Sequence, residues 1–179
     1  MLAYVFWHVP RAGSAAREYE TAHRAFHDVL RAAGVAGLRG VRVFRLDAIP
    51  WLGGDAGYED WHLLDDSSSL DALDRAAVSG ARQPPHDRIA ALAGAGTAGL
   101  YSLRQGAVIV PSVAYWLSKP SGMSYAAFGD SMRPLVEDGC ALWGRRMTLG
   151  PTPEFCLHAP AACEVPFPAQ AMHLVPVGA

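Results

Sequence analysis

Lysine is almost missing from this chain. It occurs once, at Lys119, against fourteen arginines, and the formal charge is −2 at pH 7. That leaves no basic field to neutralise a phosphate backbone, so nucleic acid is not expected as a partner. Cysteine is scarce and odd in number: Cys140, Cys156 and Cys163 argue against a disulfide framework and predict reduced, mostly buried thiols. No uncharged stretch approaches the roughly 18 apolar residues of a membrane span, and the N-terminus lacks a basic region followed by an unbroken apolar core. No membrane contact and a cytoplasmic location are therefore expected. Also absent are a serine nucleophile elbow, a phosphate loop, an H-E-x-x-H pair and the kinase signatures.

What the chain does have is a partial repeat. Ala3–Pro10 (AYVFWHVP) and Val113–Pro120 (VAYWLSKP) align without a gap, each an apolar run stopped by proline. A turn with glycine and serine follows each copy, RAGS and SGMS, and then a helix with an aromatic residue near its start. Such duplication of a strand–turn–helix unit constrains the fold more than any single residue. With 51% hydrophobic residues in 179, the chain can bury a core as one domain or two small fused ones.

Local patterns fill in the order. Leu2–Val9 alternates Ala3, Val5, Trp7 and Val9 with Leu2, Tyr4, Phe6 and His8, which predicts a strand. Ser14 is placed to cap a helix over about Ala15–Ala33, ended by Gly34 and Gly37. Strands follow at Leu38–Leu46 and Tyr58–Leu64. A helix begins near Asp66 to Ser69 and breaks at Ser79-Gly80; Pro84 and Pro85 open another to about Leu92. A strand at Leu100–Arg104 completes β-α-β-β-α-β, the split ferredoxin-like order. The second half predicts a strand at Val108–Ser118, a helix from Tyr125 to about Gly139 kinked or split at Pro134, and strands at Trp143–Leu149, Glu154–His158 and Ala171–Val177. It has no counterpart of the Asp71–Leu92 helical stretch. The expected organisation is a complete ferredoxin-like unit over 1–106 and a truncated one over 107–179, packed as one compact domain.

This order and the duplicated strands resemble the dimeric α+β barrel superfamily, which includes the EthD-like and NIPSNAP-like proteins. The resemblance implies an α+β fold in which two ferredoxin-like units pack sheet against sheet. A pocket then lies between sheet and helices or inside the barrel, and the barrel closes within one chain or in a homodimer. The superfamily spans monooxygenases, isomerases, decarboxylases and haem proteins, so fold alone does not select a reaction.

Several residue sets carry chemistry. Gly94-Ala95-Gly96-Thr97-Ala98-Gly99 has G-x-G-x-x-G spacing, but a helix precedes it and a strand follows, the reverse of a dinucleotide fingerprint. It reads as a flexible helix-to-strand connection. Glu20, His23 and His27 sit at i, i+3 and i+7 of the first helix, at the edge of its apolar stripe, and form a possible Zn²⁺ or Fe²⁺ set. The favoured set lies on strands. His8, Asp60 and His62 occupy polar positions suited to acid–base catalysis, a carboxylate beside imidazole orienting it and raising its basicity. Alternation sends Tyr4, Phe6 and His8 to the sheet face opposite the aliphatic, helix-covered one. Barrel closure then brings in Trp116 and Ser118, which align with Phe6 and His8. Arg42 and Tyr101 are candidate anchors for a substrate anion or carbonyl.

The resulting expectation is a cofactor-independent enzyme, an isomerase, cyclase or monooxygenase, for a hydrophobic, oxygenated small molecule. Its alternatives are a haem- or metal-binding protein of the same superfamily and a non-enzymatic binding or assembly module.

Overall fold

Strand alternation at the start of the chain produces a strand buried on both sides, and the first unit is organised around it. In the computed structural model, which describes residues 1–147 and 150–178, the chain divides into Met1–Ala98 with Pro176–Ala179, and Gly99–Val175. The first unit contains β1 (Leu2–Pro10), α1 (Ala16–Ala32), β2 (Leu38–Leu46), β3 (Gly57–Leu64), α2 (Ser68–Ala77), α3 (Gln83–Leu92) and the start of β4 (Ala93–Gln105). Its strand order, β4-β1-β3-β2, is the split arrangement expected, with β3 antiparallel to both β1 and β2. Among the described residues, no helix is long and apolar enough to cross a membrane.

Register assigns the side chains of the first unit to two faces. His8 pairs with Tyr58, Phe6 with Asp60 and Tyr4 with His62; the alternate pairs are Trp7 with Glu59, Val5 with Trp61 and Ala3 with Leu63. The first set lies under the helices, where Tyr19 and Ala22 of α1 and Ile89 of α3 cluster with Tyr58 and Val43. This reverses the expected facing. Both faces of β1 are buried, so an aliphatic stripe beside a mixed aromatic one does not reveal which side the helices cover.

The opposite face holds a buried carboxylate. Glu59 is fully buried, and its two oxygens accept from the indole N–H of Trp7 at 2.6 Å and of Trp61 at 2.5 Å. Two donors aimed at one carboxylate supply the compensation that a buried polar group needs.

The second unit contains the rest of β4, then β5 (Val113–Leu117), α4 (Tyr125–Glu137), β6 (Ala141–Arg145), β7 (Phe155–Ala159), β8 (Ala169–His173) and the first residue of the two-residue β9 (Val175–Pro176), whose second residue belongs to the first unit. Its order β8-β5-β7-β6 repeats the topology of β4-β1-β3-β2. Residues 160–168 run as coil where the first unit has α2 and α3, so the second copy is truncated. Tyr115 stabilises that coil, its hydroxyl donating to the Cys163 carbonyl and accepting from the Cys163 N–H, both at 2.9 Å.

The two copies are not equivalent residue for residue. Val113, Tyr115 and Leu117 pack with Phe128 and Met132 of α4, whereas in the first unit Tyr4, Phe6 and His8 are the helix-facing set. Trp116 and Ser118 therefore align in sequence with helix-facing residues without sharing their facing. A slip of one residue exchanges the faces of a strand.

Local expectations also shift. The glycine run is part of β4, not a flexible connection. A Cβ on Gly94 would lie 3.0 Å from the Pro10 carbonyl oxygen, and one on Gly96 would lie 2.7 Å from the Phe6 ring, so these glycines permit close approach of β4 to β1. Ser14 is not the cap of α1; Ala15 occupies that position, without a side-chain hydrogen bond. Pro134 neither ends nor splits α4, which continues to Glu137. Of the strand expected at Trp143–Leu149, Thr148 and Leu149 lie outside the described residues.

Two outcomes follow from this packing. Gly96→Ala is expected to lower stability by about 1–3 kcal/mol, read by urea unfolding, because the added methyl must displace Phe6. An unchanged midpoint would show that β4 does not press on β1. Burial pushes the Glu59 carboxyl from 4.5 up to about 7, against the pull of the Trp61 and Trp7 donors. A folded value above the unfolded one means that this stabilisation is complete below pH 4.5 and lost as the pH rises to about 7. Between those limits Glu59→Gln should gain on the parent protein by about 3 kcal/mol. A stability difference independent of pH would contradict the assignment.

Candidate metal centre

Helix α1 carries two histidines on its buried face. Tyr19, Ala22, His23, His27 and Leu30 are all buried, so His23 and His27, one turn apart, point at the sheet and do not sit at the edge of the stripe. Opposite them β1 presents His8, and β3 presents Asp60 and His62. Three elements thus deliver polar groups to one place beneath the helices.

The groups converge on a single atom. Asp60 Oδ2 lies 2.7 Å from His23 Nε2, 3.0 Å from His27 Nε2 and 3.3 Å from His8 Nε2. The Nε2 atoms of His23 and His27 are themselves 2.9 Å apart. All four side chains are at most 5% exposed. Asp60 Oδ1 and His27 Nδ1 are buried without a hydrogen-bond partner among the described residues.

Protons alone satisfy this arrangement poorly. If both Nε2 atoms donate to Asp60, their N–H groups face each other; if they bond to each other, one must present a lone pair. A cation at the point of convergence accepts a lone pair from every group. Ligand bonds of about 2.0–2.1 Å in a tetrahedron place neighbouring ligand atoms roughly 3.3 Å apart, equal to the His8–Asp60 spacing and slightly wider than the other three.

The electrostatics match. Burial pushes Asp60 upward, but His23, His8 and His27 outweigh it and hold the carboxyl well below its usual range. Burial lowers His27, with Asp60 opposing, and pushes His62 down to about 4. Near neutrality Asp60 is therefore an anion, and His27 and His62 are neutral imidazoles. An ionised carboxylate and unprotonated imidazoles are what metal binding requires.

An outer contact orients the site. His8 Nδ1 and the Tyr19 hydroxyl are 2.5 Å apart. With its proton on Nδ1, His8 donates to Tyr19 and leaves the Nε2 lone pair directed at the cluster.

A cavity of about 580 Å³ opens beside these groups, within the first unit; His8, His23, Asp60 and His62 are polar groups of its wall, and so are Asp71 and Asp74 of α2 and His86 of α3. Its apolar walls include Tyr4, Phe6 and Phe26. A small polar set in a mostly apolar concavity is the usual make-up of a ligand site.

The structure brings together His8, Asp60, His62, Tyr4 and Phe6, and it adds Tyr19, His23 and His27. Arg42 pairs with Trp61, which puts it on the opposite sheet face and away from the cavity. Tyr101, Trp116 and Ser118 are not among the cavity walls. They belong to the second unit, where the Tyr101 hydroxyl is 2.8 Å from that of Thr152, Trp116 packs edge-on against Tyr101, and Ser118 is exposed beyond β5. Glu20 is separate from His23 and His27: it accepts from the Tyr58 hydroxyl at 3.0 Å and pairs with Arg45 at 3.4 Å. The legible signal was His-x₃-His lying within the stripe of Tyr19, Ala22, Phe26 and Leu30.

No family model matches the sequence, and no curated protein matches it. Among solved structures it is similar to one described as "Putative Chlorite dismutase TA0507", with 12% identity and a TM-score of 0.54 over 97% of this chain and 94% of that one. The likeness establishes the fold alone, α+β with ferredoxin-like units.

Haem does not fit between Asp60 and the histidines that converge on it. The three Nε2 atoms converge too closely to admit a macrocycle between any of them and Asp60. In the second unit the sheet face under α4 is closed by Phe128, Met132, Phe155 and Leu157. The donor set suits a bare ion.

In chelator-treated protein, Asp60→Asn is expected to cost roughly 2–3 kcal/mol at pH 7, because it removes the anion that three buried imidazoles share. A depressed folded value makes this contribution full above the unfolded 3.8 and lost as the pH falls below it. Guanidinium unfolding at pH 7 and pH 3 reads both; an equal penalty at the two values would refute the account.

Proposed function

We propose that the first unit is a metal-dependent enzyme for a hydrophobic small molecule. A divalent transition-metal ion is held by His8, His23 and Asp60, and His27, whose Nε2 is 3.0 Å from Asp60 Oδ2, lies against that set. The observation that carries this reading is the convergence of three imidazole Nε2 atoms on one carboxylate oxygen at the polar end of a 580 Å³ cavity.

Two histidines and a carboxylate facing an open cavity are the donors of non-haem iron oxygenases, and the same atoms serve Zn²⁺. When bound, such an ion supplies Lewis acidity to an oxygen of the substrate. The chain's residues do the rest. Tyr19 fixes the orientation of His8, and Tyr4, Phe6 and Phe26 exclude water and orient an apolar body. His62, neutral because it is buried, offers the substrate a hydrogen bond without a competing charge.

The cofactor-independent reading is less well supported. It requires His8 and Asp60 to be free for proton transfer, but Asp60 is shared with His23 and His27. It also requires a base near neutrality, and burial pushes His62 down to about 4.

Chelator-stripped protein titrated with Zn²⁺ or anaerobic Fe²⁺ should bind one ion per chain, measured by calorimetry and elemental analysis. His23→Ala should abolish binding, whereas Glu20→Gln should leave it unchanged. No uptake by the parent protein would overturn the proposal. Tyr19→Phe should keep the one-to-one stoichiometry while weakening affinity about 10–100-fold, the usual cost of losing an outer-shell partner.

A further inference from the structure

We infer that the substrate carries a second oxygen function, a hydroxyl about one aromatic ring away from the oxygen that meets the ion, and that His62 and Tyr4 receive it. The inference rests on the metal reading above, since the ion defines the place of the first oxygen.

The floor of the cavity is the helix-covered face of β1 and β3, and it presents two polar stations. At the first, Asp60 pairs with Phe6 and belongs to the metal set. Two residues further along β3, roughly 7 Å by strand rise, His62 pairs with Tyr4 at the second. Both residues line the cavity, and their rings are 5.8 Å apart. The His27 ring lies 5.5 Å from that of His62, so the second station adjoins the first.

His62 is a polar group the protein does not satisfy. It is 6% exposed, and its Nδ1 is buried without a hydrogen-bond partner. Among the described residues the ring's hydrogen bond is with the Tyr4 main chain; an imidazole has two nitrogens, so one is left for a ligand. A buried polar atom without a partner is destabilising unless something fills the position. The Tyr4 hydroxyl also has no hydrogen-bond partner among the described residues, and burial, then Asp60 and Asp74, keep it protonated. The other polar groups of the wall differ. Asp71 and Asp74 are exposed, and His86 is partly exposed and 3.2 Å from Asp87, so water satisfies them without a ligand.

A hydroxyl serves both groups at once. It donates to one and accepts from the other, whichever imidazole nitrogen carries the proton. A methyl group in its place leaves both unpaired, the asymmetry by which a polar site rejects an analogue lacking its hydroxyl. Between the stations the Phe6 and Phe26 rings suit a flat apolar body. The fitting class is therefore an aromatic molecule with two oxygens in a 1,3 or 1,4 relation; oxygens on adjacent carbons both fall at the ion.

Resorcinol and hydroquinone, set against 3-methylphenol and 4-methylphenol, each exchange a methyl for a hydroxyl, and neither diol can chelate through both oxygens. In anaerobic, Zn²⁺-loaded protein, calorimetry should show at least one diol binding about tenfold more tightly than its methyl counterpart. Tyr4→Phe should lower that preference and His62→Leu abolish it, both with one ion per chain retained. His62→Leu should also hold or raise the thermal midpoint of chelator-treated protein, because it removes an unpartnered buried nitrogen, whereas loss of a merely structural imidazole lowers it. If His62→Leu does not fold, Tyr4→Phe, which keeps its ring, decides. Equal binding within both pairs, or a preference that survives the substitutions, would sink the inference. Uptake of the ion without hydroxyl preference sinks this inference alone. Hydroxyl preference without uptake of the ion, lost in the variants, sinks the metal reading and leaves the His62–Tyr4 station standing.

Discussion

A carboxylate withdrawn from water has to be compensated, and in this protein the compensation for Asp60 organises everything around it. An unpaired buried charge costs several kcal/mol even after relaxation. Asp60 meets that cost by drawing in His8 from the neighbouring strand and His23 and His27 from the covering helix. One anion thereby ties α1 to β1 and β3, fixes the rotation of α1 about its axis and sets the polar end of the cavity. Breaking the convergence leaves three imidazoles facing one another without a reason to be there.

The same sheet carries a second buried carboxylate one residue earlier, and the contrast is instructive. Glu59 is answered by two indole N–H groups that donate and cannot do more. Asp60 is answered by imidazoles, which can donate, accept or bind a metal. Adjacent residues of one strand point to opposite faces, so near-identical carboxylates acquire different chemistry from different partners. Glu59 is enclosed by its donors, whereas Asp60 faces the cavity.

Much of the architecture was legible. Leu38–Leu46 was read to the residue, the β-α-β-β-α-β order emerged from alternation and turn residues, and the missing helix of the second copy followed from the lack of any periodic stretch between its late strands. His8, Asp60 and His62 were identifiable because alternation places them at polar positions of otherwise apolar strands. Less was legible in the repeat. The gapless alignment set Trp116 against Phe6, yet helix-facing side chains occupy odd positions in β5 and even positions in β1. Sequence similarity between apolar runs does not register a one-residue slip, because both faces of each strand are buried and either phase is hydrophobic. Glu20 was grouped with His23 and His27 by spacing alone, whereas its carboxylate is engaged by Tyr58 and Arg45.

Local sequence therefore determined which segments are strands and helices, that the chain contains a complete and a truncated ferredoxin-like unit, and which strand residues are polar. These properties depend on periodicity and turn chemistry within a few residues. Tertiary structure alone decided which face of the first sheet the helices cover, and with it that His23 and His27 meet His8 at Asp60 while Arg42 faces away. The physical reason is that a strand buried on both sides carries no local record of what covers each side; that follows only from the packing of elements distant in sequence.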